Sequence, residues 1–195
     1  MTLDPRTPVL IGTGQVVQRT NGLDDATDAV GMMVQAIEKA ATDAGLSSVP
    51  NPDSIRVVNL LSWKYGNPAQ FIAEDLKLTP REFGYSAMGG NTPQTLVNAA
   101  SRQILAGELD LVILTGGETT RTRARYRKAN VEPQWRTSDV EPVLVSEDLT
   151  MNMPEELERK IMMPIQIYPM FETALRAQAG RTIEEHQKHI SELWA

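Results

Sequence analysis

The 195-residue sequence predicts an α/β layered domain with a mixed, largely parallel sheet, followed by a loop-rich helical appendage. Three observations lead there. Short apolar or β-branched runs alternate with helical patterns in the order β-α-β-α-β-α-β. The last of these runs, Leu109–Thr115 (LDLVILT), is nearly continuous in apolar residues, as strands covered on both faces are. After Glu118 the alternation stops and the chain turns polar, first basic and then acidic. The expected division is a core domain over 1–118 and an appendage over 119–195.

Pro8–Val17 (PVLIGTGQVV) starts as an apolar, β-branched run and reads as a first strand. Gly12 and Gly14 within it mark a bulge or a close approach by another backbone. They do not make a dinucleotide fingerprint, because the third glycine is missing and no helix follows directly. Asp25–Ala44 reads as a helix with Val30, Met33, Val34, Ile37 and Ala41 on one stripe, acidic residues near its start and Gly45 as its stop. Ser54–Leu61 (SIRVVNLL) reads as a buried strand, and Asn67-Pro68 opens a helix running to about Lys77 with proline at its first position. Phe83–Met88 is the third strand and Thr92–Ala106 the third helix. Beyond Glu118, 119–140 is polar, basic and poor in apolar periodicity, with Arg121–Lys128 read as a solvated loop, and Glu141–Pro154 is irregular and acidic. Pro164–Gly180 carries a helix signal with Phe171 and Leu175. Thr182-Ile-Glu-Glu185 is a capping box that starts a last helix. That helix is still running at Trp194-Ala195, which reads as a fragment of a longer protein.

Composition narrows the function classes. Apolar content is 41%, charged content 23% and net charge −6, an ordinary globular balance with no electrostatic reason to bind nucleic acid. No run of 18 apolar residues is present to span a membrane, and Met1–Pro8 does not read as a signal peptide, so a cytoplasmic location is expected. There is no cysteine, hence no disulfide, no thiolate nucleophile and no thiolate metal site.

The segment from Phe83 to Gly107 is the organising centre. It turns on Gly89 and Gly90, with Asn91 or Thr92 as N-cap, Pro93 in the first turn and Gly107 at the far end. Its many small side chains suit a helix buried between layers. A residue at such a turn sits at the positive end of a helix, where free N–H groups lower a nucleophile's pKa and hold an oxyanion. The structural alternative is a tight turn requiring positive φ at Gly89 or Gly90. No strong nucleophile is present either way.

Five segments, in order, resemble the N-terminal half of the thiolase superfamily of acetyl-CoA acetyltransferases. They are Pro8-Val-Leu-Ile-Gly-Thr-Gly14, Ala36–Gly45, Gly66-Asn-Pro-Ala69, Ala87–Ala100, and Ala106–Glu118 with its Gly116-Gly117-Glu118 ending. The resemblance implies a thiolase-type layered half-fold that packs against a missing C-terminal half, exposes an apolar face for it, and handles acyl-CoA thioesters, with coenzyme A or acyl-CoA as ligand and no covalently held cofactor. It also places the family's nucleophilic cysteine at Gly89, followed by Gly90, Asn91 and Thr92. The acyl-accepting thiolate is therefore absent. Homo- or hetero-oligomers are further expected partners.

Remaining candidates are weaker. Ser86 and Thr92 are the nearest hydroxyls, but a hydroxyl needs an adjacent base, and the two histidines, His186 and His189, lie in the last helix. Those histidines read as a helix side, since zinc would need further ligands beyond Glu185. Arg121–Lys128 is a basic cluster in which Arg121 and Arg123 suit the phosphates of coenzyme A. Trp63, Tyr65 and Tyr85 read as packing residues.

Overall fold

The computed structural model describes residues 4–20, 22–146 and 152–195, and the chain divides into two compact units, 1–148 and 149–195. In the first unit the elements are α1 (Ala29–Asp43), β1 (Ser54–Val57), α2 (Pro68–Leu76), β2 (Glu82–Tyr85), α3 (Thr92–Leu105), β3 (Val112–Thr115), α4 (Thr120–Lys128) and β4 (Val143–Leu144). The strands form one all-parallel sheet in the order β3-β1-β2-β4. The α/β layering expected from the sequence is present. Register aligns Val57 with Tyr85 and with Thr115, so the chain leaves β1, β2 and β3 along a common carboxyl-terminal edge.

The sheet's two faces differ in chemistry. Ile55 and Val57 of β1, with Phe83 and Tyr85 of β2, join the apolar cluster built by Val30, Met33 and Ile37 of α1 and by Phe71 and Ile72 of α2. Each large side chain buried there contributes about 1.5–3 kcal/mol. The alternate residues, Ser54 and Arg56, turn to the α3 side. There the buried Arg56 guanidinium bonds Ser54 Oγ, Glu82 Oε1 and Gln103 Oε1 at 3.1, 3.0 and 2.6 Å. Gly84 makes room for it, because a Cβ at Gly84 would stand 2.8 Å from Arg56 Cγ.

Helix boundaries follow local chemistry. Asp28 caps α1 by accepting from the Gly31 amide at 2.8 Å, and Gly45, at φ +73°, ends it. Asn67 caps α2 with Pro68 at its first position, and Gly107 follows α3 at φ +76°.

Several expectations need correction. Pro8–Val17 is not a strand. It lies against α1, held by the Thr13 amide on Asp43 Oδ2 at 2.8 Å. A Cβ at Gly12 would come within 2.1 Å of Ala40 O, and one at Gly14 within 2.0 Å of Ala36 O, so close backbone approach is what the two glycines serve. Val9, Leu10 and Ile11 stay exposed. The strand buried at every position is the central β1; β3 is an edge strand, only half-buried. Helix α3 is not enclosed between layers: Thr92, Leu96 and Ala100 are buried while Val97 and Leu105 are exposed. The basic stretch after Glu118 is the helix α4, not a loop. Its polar sequence hides the fact that Thr122 is buried and that Tyr126 and Arg123 pack on Trp135 and Trp63. Val143-Leu144 adds the short edge strand β4 within the stretch read as irregular, of which 147–151 lie outside the described residues.

The second unit contains α5 (Pro154–Glu158), α6 (Pro164–Gln178) and α7 (Ile183–Trp194). The capping box is as expected. Thr182 Oγ1 accepts from the Glu185 amide at 3.2 Å, and Glu185 Oε2 from the Thr182 amide at 2.8 Å.

Candidate functional site

The carboxyl-terminal sheet edge of the first unit gathers three crossings: the loop after β1, the turn after β2 and the Gly116-Gly117-Glu118 exit from β3. The loop after β1 is fixed amide by amide. Val58 N–H donates to Thr115 O at 2.9 Å, Asn59 N–H to Ser86 Oγ at 3.0 Å and Leu60 N–H to the Tyr85 hydroxyl at 2.8 Å. The next two amides, of Leu61 and Ser62, both donate to the Glu118 carboxylate, one oxygen each. Five successive N–H groups are thus satisfied by the ends of β2 and β3 and the residues just after them, mostly through side chains, and Ser54–Leu61 is a strand only as far as Val57.

These side chains are anchors. Burial, with the Glu118 charge adding to it, pushes the Tyr85 phenol above its ordinary pKa, so it stays a neutral partner for Leu60. Tyr65 has the corresponding role deeper in the core. Its hydroxyl donates to Asp28 and accepts from the Ala29 amide, and burial raises its pKa strongly. Ser86 is fully committed, accepting from Asn59 and donating to Ala87 O at 2.9 Å. It has no free proton for a base to remove. Thr92 Oγ1 donates to Gly89 O at 2.8 Å, alongside the Thr92 amide at 3.1 Å. Neither hydroxyl is positioned as a nucleophile.

The turn itself is Met88-Gly89-Gly90-Asn91. Asn91 precedes α3 in αR conformation and makes no side-chain cap bond, so the expected capping interaction is not formed. The amides of Gly89, Gly90 and Asn91 donate to no other group among the described residues. They stand at the positive end of a 14-residue helix, an arrangement suited to an anion or a polarised carbonyl oxygen. Neither glycine has positive φ; the glycines that do are Gly45, Gly66, Gly107 and Gly180. Left-handed backbone is therefore not what glycine supplies here. A Cβ at Gly89 would meet the side-chain end of Asn91 at 2.8 Å and Thr92 Cγ2 at 3.3 Å, and one at Gly90 would meet nothing within 4 Å. Met88 beside them is exposed.

The two arginines expected to suit phosphate differ in state. Arg123 lies 5.0 Å over the Trp63 ring and pairs with Glu132 at 3.0 Å. Arg121, two residues earlier on α4, is exposed. In the second unit, His186 is buried and its Nε2 lies 2.7 Å from Glu172 Oε2. A cavity of about 460 Å³ lies beside it, lined by Leu175, Arg181, His189 and Trp194 among others. Among the described residues no group of three or more His, Cys, Asp or Glu side chains is arranged to hold a metal ion, and no helix is long and apolar enough to cross a membrane.

Sequence reading overlooks the anchors. Tyr85 reads as packing, and nothing in its sequence context signals the hydroxyl's bond to Leu60. Glu118 enters only as the end of a motif, although its place directly after two strand-end glycines is visible.

The chain is similar in structure to a monomeric SCP2-thiolase like protein type 1 from Mycobacterium smegmatis, with a TM-score of 0.64 and 22% sequence identity. The match covers all of this chain and 35% of that one. No family model matches the sequence, and no curated protein does. At this identity the likeness establishes the fold: the chain has a thiolase-like α/β fold and spans about a third of the length of that solved relative.

Proposed function

We propose that this chain is part of a thiolase-like protein that binds acyl-CoA thioesters at the sheet edge around Gly89, without cysteine-dependent thiolysis or Claisen condensation. One observation carries the reading. The turn at Gly89–Asn91 offers unpaired backbone amides at the start of α3, while no side chain beside them is a free nucleophile. A thioester carbonyl oxygen suits such amides, because a prepositioned N–H pair needs no reorganisation to hold developing negative charge. The loop after β1, tied down by Ser86, Tyr85 and Glu118, keeps the neighbouring edge rigid. Arg121 is the exposed cation suited to the ligand's phosphates. The test is calorimetric titration with acetyl-CoA together with an acetoacetyl-CoA thiolysis assay. Saturable binding without turnover supports the reading. Robust turnover overturns its chemical half, and no heat at millimolar ligand overturns its binding half.

A second reading is a structural or interaction subunit of the thiolase-like fold. It is favoured by the exposed Val97 and Leu105 of α3 and by the open face of β3. Sedimentation showing tight self-association in a chain that ignores coenzyme A would select it.

A further inference from the structure

Helix α4 concentrates charge in a way the rest of the chain does not. It holds five cations in nine residues, Arg121, Arg123, Arg125, Arg127 and Lys128, in a chain of net charge −6. Arg123 is used internally, paired with Glu132 and stacked on Trp63. The other four have no anionic or hydrogen-bonding side-chain partner among the described residues. Three of them, Arg121, Arg125 and Lys128, stand at i, i+4 and i+7 on one face of the helix, turned away from Arg123 and Tyr126, which pack on Trp63 and Trp135, with the buried Thr122 at its flank.

Like charges at this spacing destabilise an isolated helix. Packing holds the helix in spite of them. Tyr126 and Trp135 meet edge to face at 5.6 Å, Trp135 and Trp63 at 5.3 Å, and the Thr119 amide donates to Ser62 Oγ at 3.2 Å. The stripe is therefore presented by a fixed element. Neighbours on it are roughly 5–6 Å apart between Cβ atoms, and its three cations span about 10 Å along the axis. That spacing fits two linked phosphates, each reached by a separate cation, and arginine engages a phosphate through two donors at once.

We propose that Arg121, Arg125 and Lys128 form a docking stripe for the diphosphate of the coenzyme A ligand. Within the basic cluster Arg121–Lys128, the stripe leaves Arg123 out of phosphate contact and puts Arg125 and Lys128 beside Arg121. The inference rests on the acyl-CoA reading above and is separable from it by experiment.

The experiment titrates coenzyme A, S-acetylpantetheine (which has no phosphate) and inorganic pyrophosphate into the full chain and into the R121S/R125S/K128S variant. A K64S variant controls for loss of charge elsewhere. Circular dichroism confirms folding, relief of like-charge repulsion along α4 offsetting the lower helix propensity of serine. The expected result is at least a tenfold loss of coenzyme A and pyrophosphate affinity in the triple variant. Pantetheine binding should be unchanged and K64S should lie within twofold of wild type. Equal coenzyme A affinity in wild type and triple variant overturns the stripe and leaves the acyl-CoA reading standing. Failure of the wild type to bind coenzyme A overturns both. Tighter binding of a single-stranded RNA, displaced only weakly by coenzyme A, would also overturn the stripe, as a macromolecular polyanion site.

Discussion

Replacing Asp53 with asparagine should weaken the first unit by about 2 kcal/mol at neutral pH. Asp53 stands just before β1 and ties the starts of three strands together. Its Oδ2 accepts from the Asp110 and Leu111 amides at 2.7 and 3.1 Å, and its Oδ1 from the Arg81 guanidinium at 2.7 and 3.1 Å. Asparagine matches the shape but has one oxygen. If it faces the amides, the NH2 group faces Arg81. Each amide then donates to a neutral instead of a charged acceptor, a loss of about 1 kcal/mol apiece. The exposed Arg81 pair adds about 0–1 kcal/mol. These amide bonds, with Arg81 adding to them, hold the Asp53 carboxyl below its ordinary pKa. The folded state therefore binds fewer protons here than the unfolded chain. The stabilisation is fully present above the unfolded carboxylate value of about 3.9 and is lost as pH falls through the lower folded value. Urea unfolding of wild type and D53N from pH 7 to pH 2.5, at unchanged m-value, checks this. The gap between them should close toward acid. A gap that stays constant over that range, or one reproduced in full by Arg81→Ala, would refute the reasoning.

Further outcomes follow from the same contacts. Gly14→Ala places a methyl 2.0 Å from Ala36 O and should cost about 1–3 kcal/mol by forcing the N-terminal segment off α1, read as a lower urea midpoint. Glu118→Ala strands the Leu61 and Ser62 amides; because Leu61 is exposed, water replaces part of the loss, and about 1–2 kcal/mol with faster amide exchange at Asn59–Ser62 is expected. Tyr65→Phe leaves the buried Ala29 amide without its partner and should cost about 1–3 kcal/mol by the same measurement. Thr182→Ala removes a capping box and should reduce helicity of the second unit, with a stability loss of about 1 kcal/mol.

Much of the fold is legible in the sequence because local rules and tertiary packing agree. The stripe Val30, Met33, Ile37 and Ala41, the Asn67-Pro68 start and the glycine stops at Gly45 and Gly107 all behave as their chemistry dictates. Pro8–Val17 misleads because β-branched residues signal extended backbone, and extended backbone is a strand only where a neighbour supplies hydrogen bonds. Here the neighbour is the side of a helix. Helix α4 is hidden for the opposite reason: its burial rests on Thr122, one tyrosine and an arginine stem, which together make no apolar stripe. At the site, the glycine turn is visible in sequence, whereas the bonds that Ser86, Tyr85 and Glu118 make to the loop after β1 join residues 25 to 57 positions apart and leave no local trace.

The proposed function requires the amides at Gly89–Asn91 to be available to stabilise negative charge where a thiolate or thioester oxygen would sit. Gly89→Cys tests this directly, since the chain has no cysteine of its own, φ at Gly89 is not positive, and a Cβ there requires only the end of the Asn91 side chain to move aside and Thr92 Cγ2 to give slightly. The measurement is the rate of iodoacetamide alkylation of the introduced thiol against pH, compared with that of Met88→Cys one residue earlier. The expected result is a thiol pKa in the Gly89→Cys variant below the free value of about 8.5 and below that of the Met88→Cys variant. A thiol in the Gly89→Cys variant that titrates at or above the free value, indistinguishable from the one in Met88→Cys, would contradict the proposal.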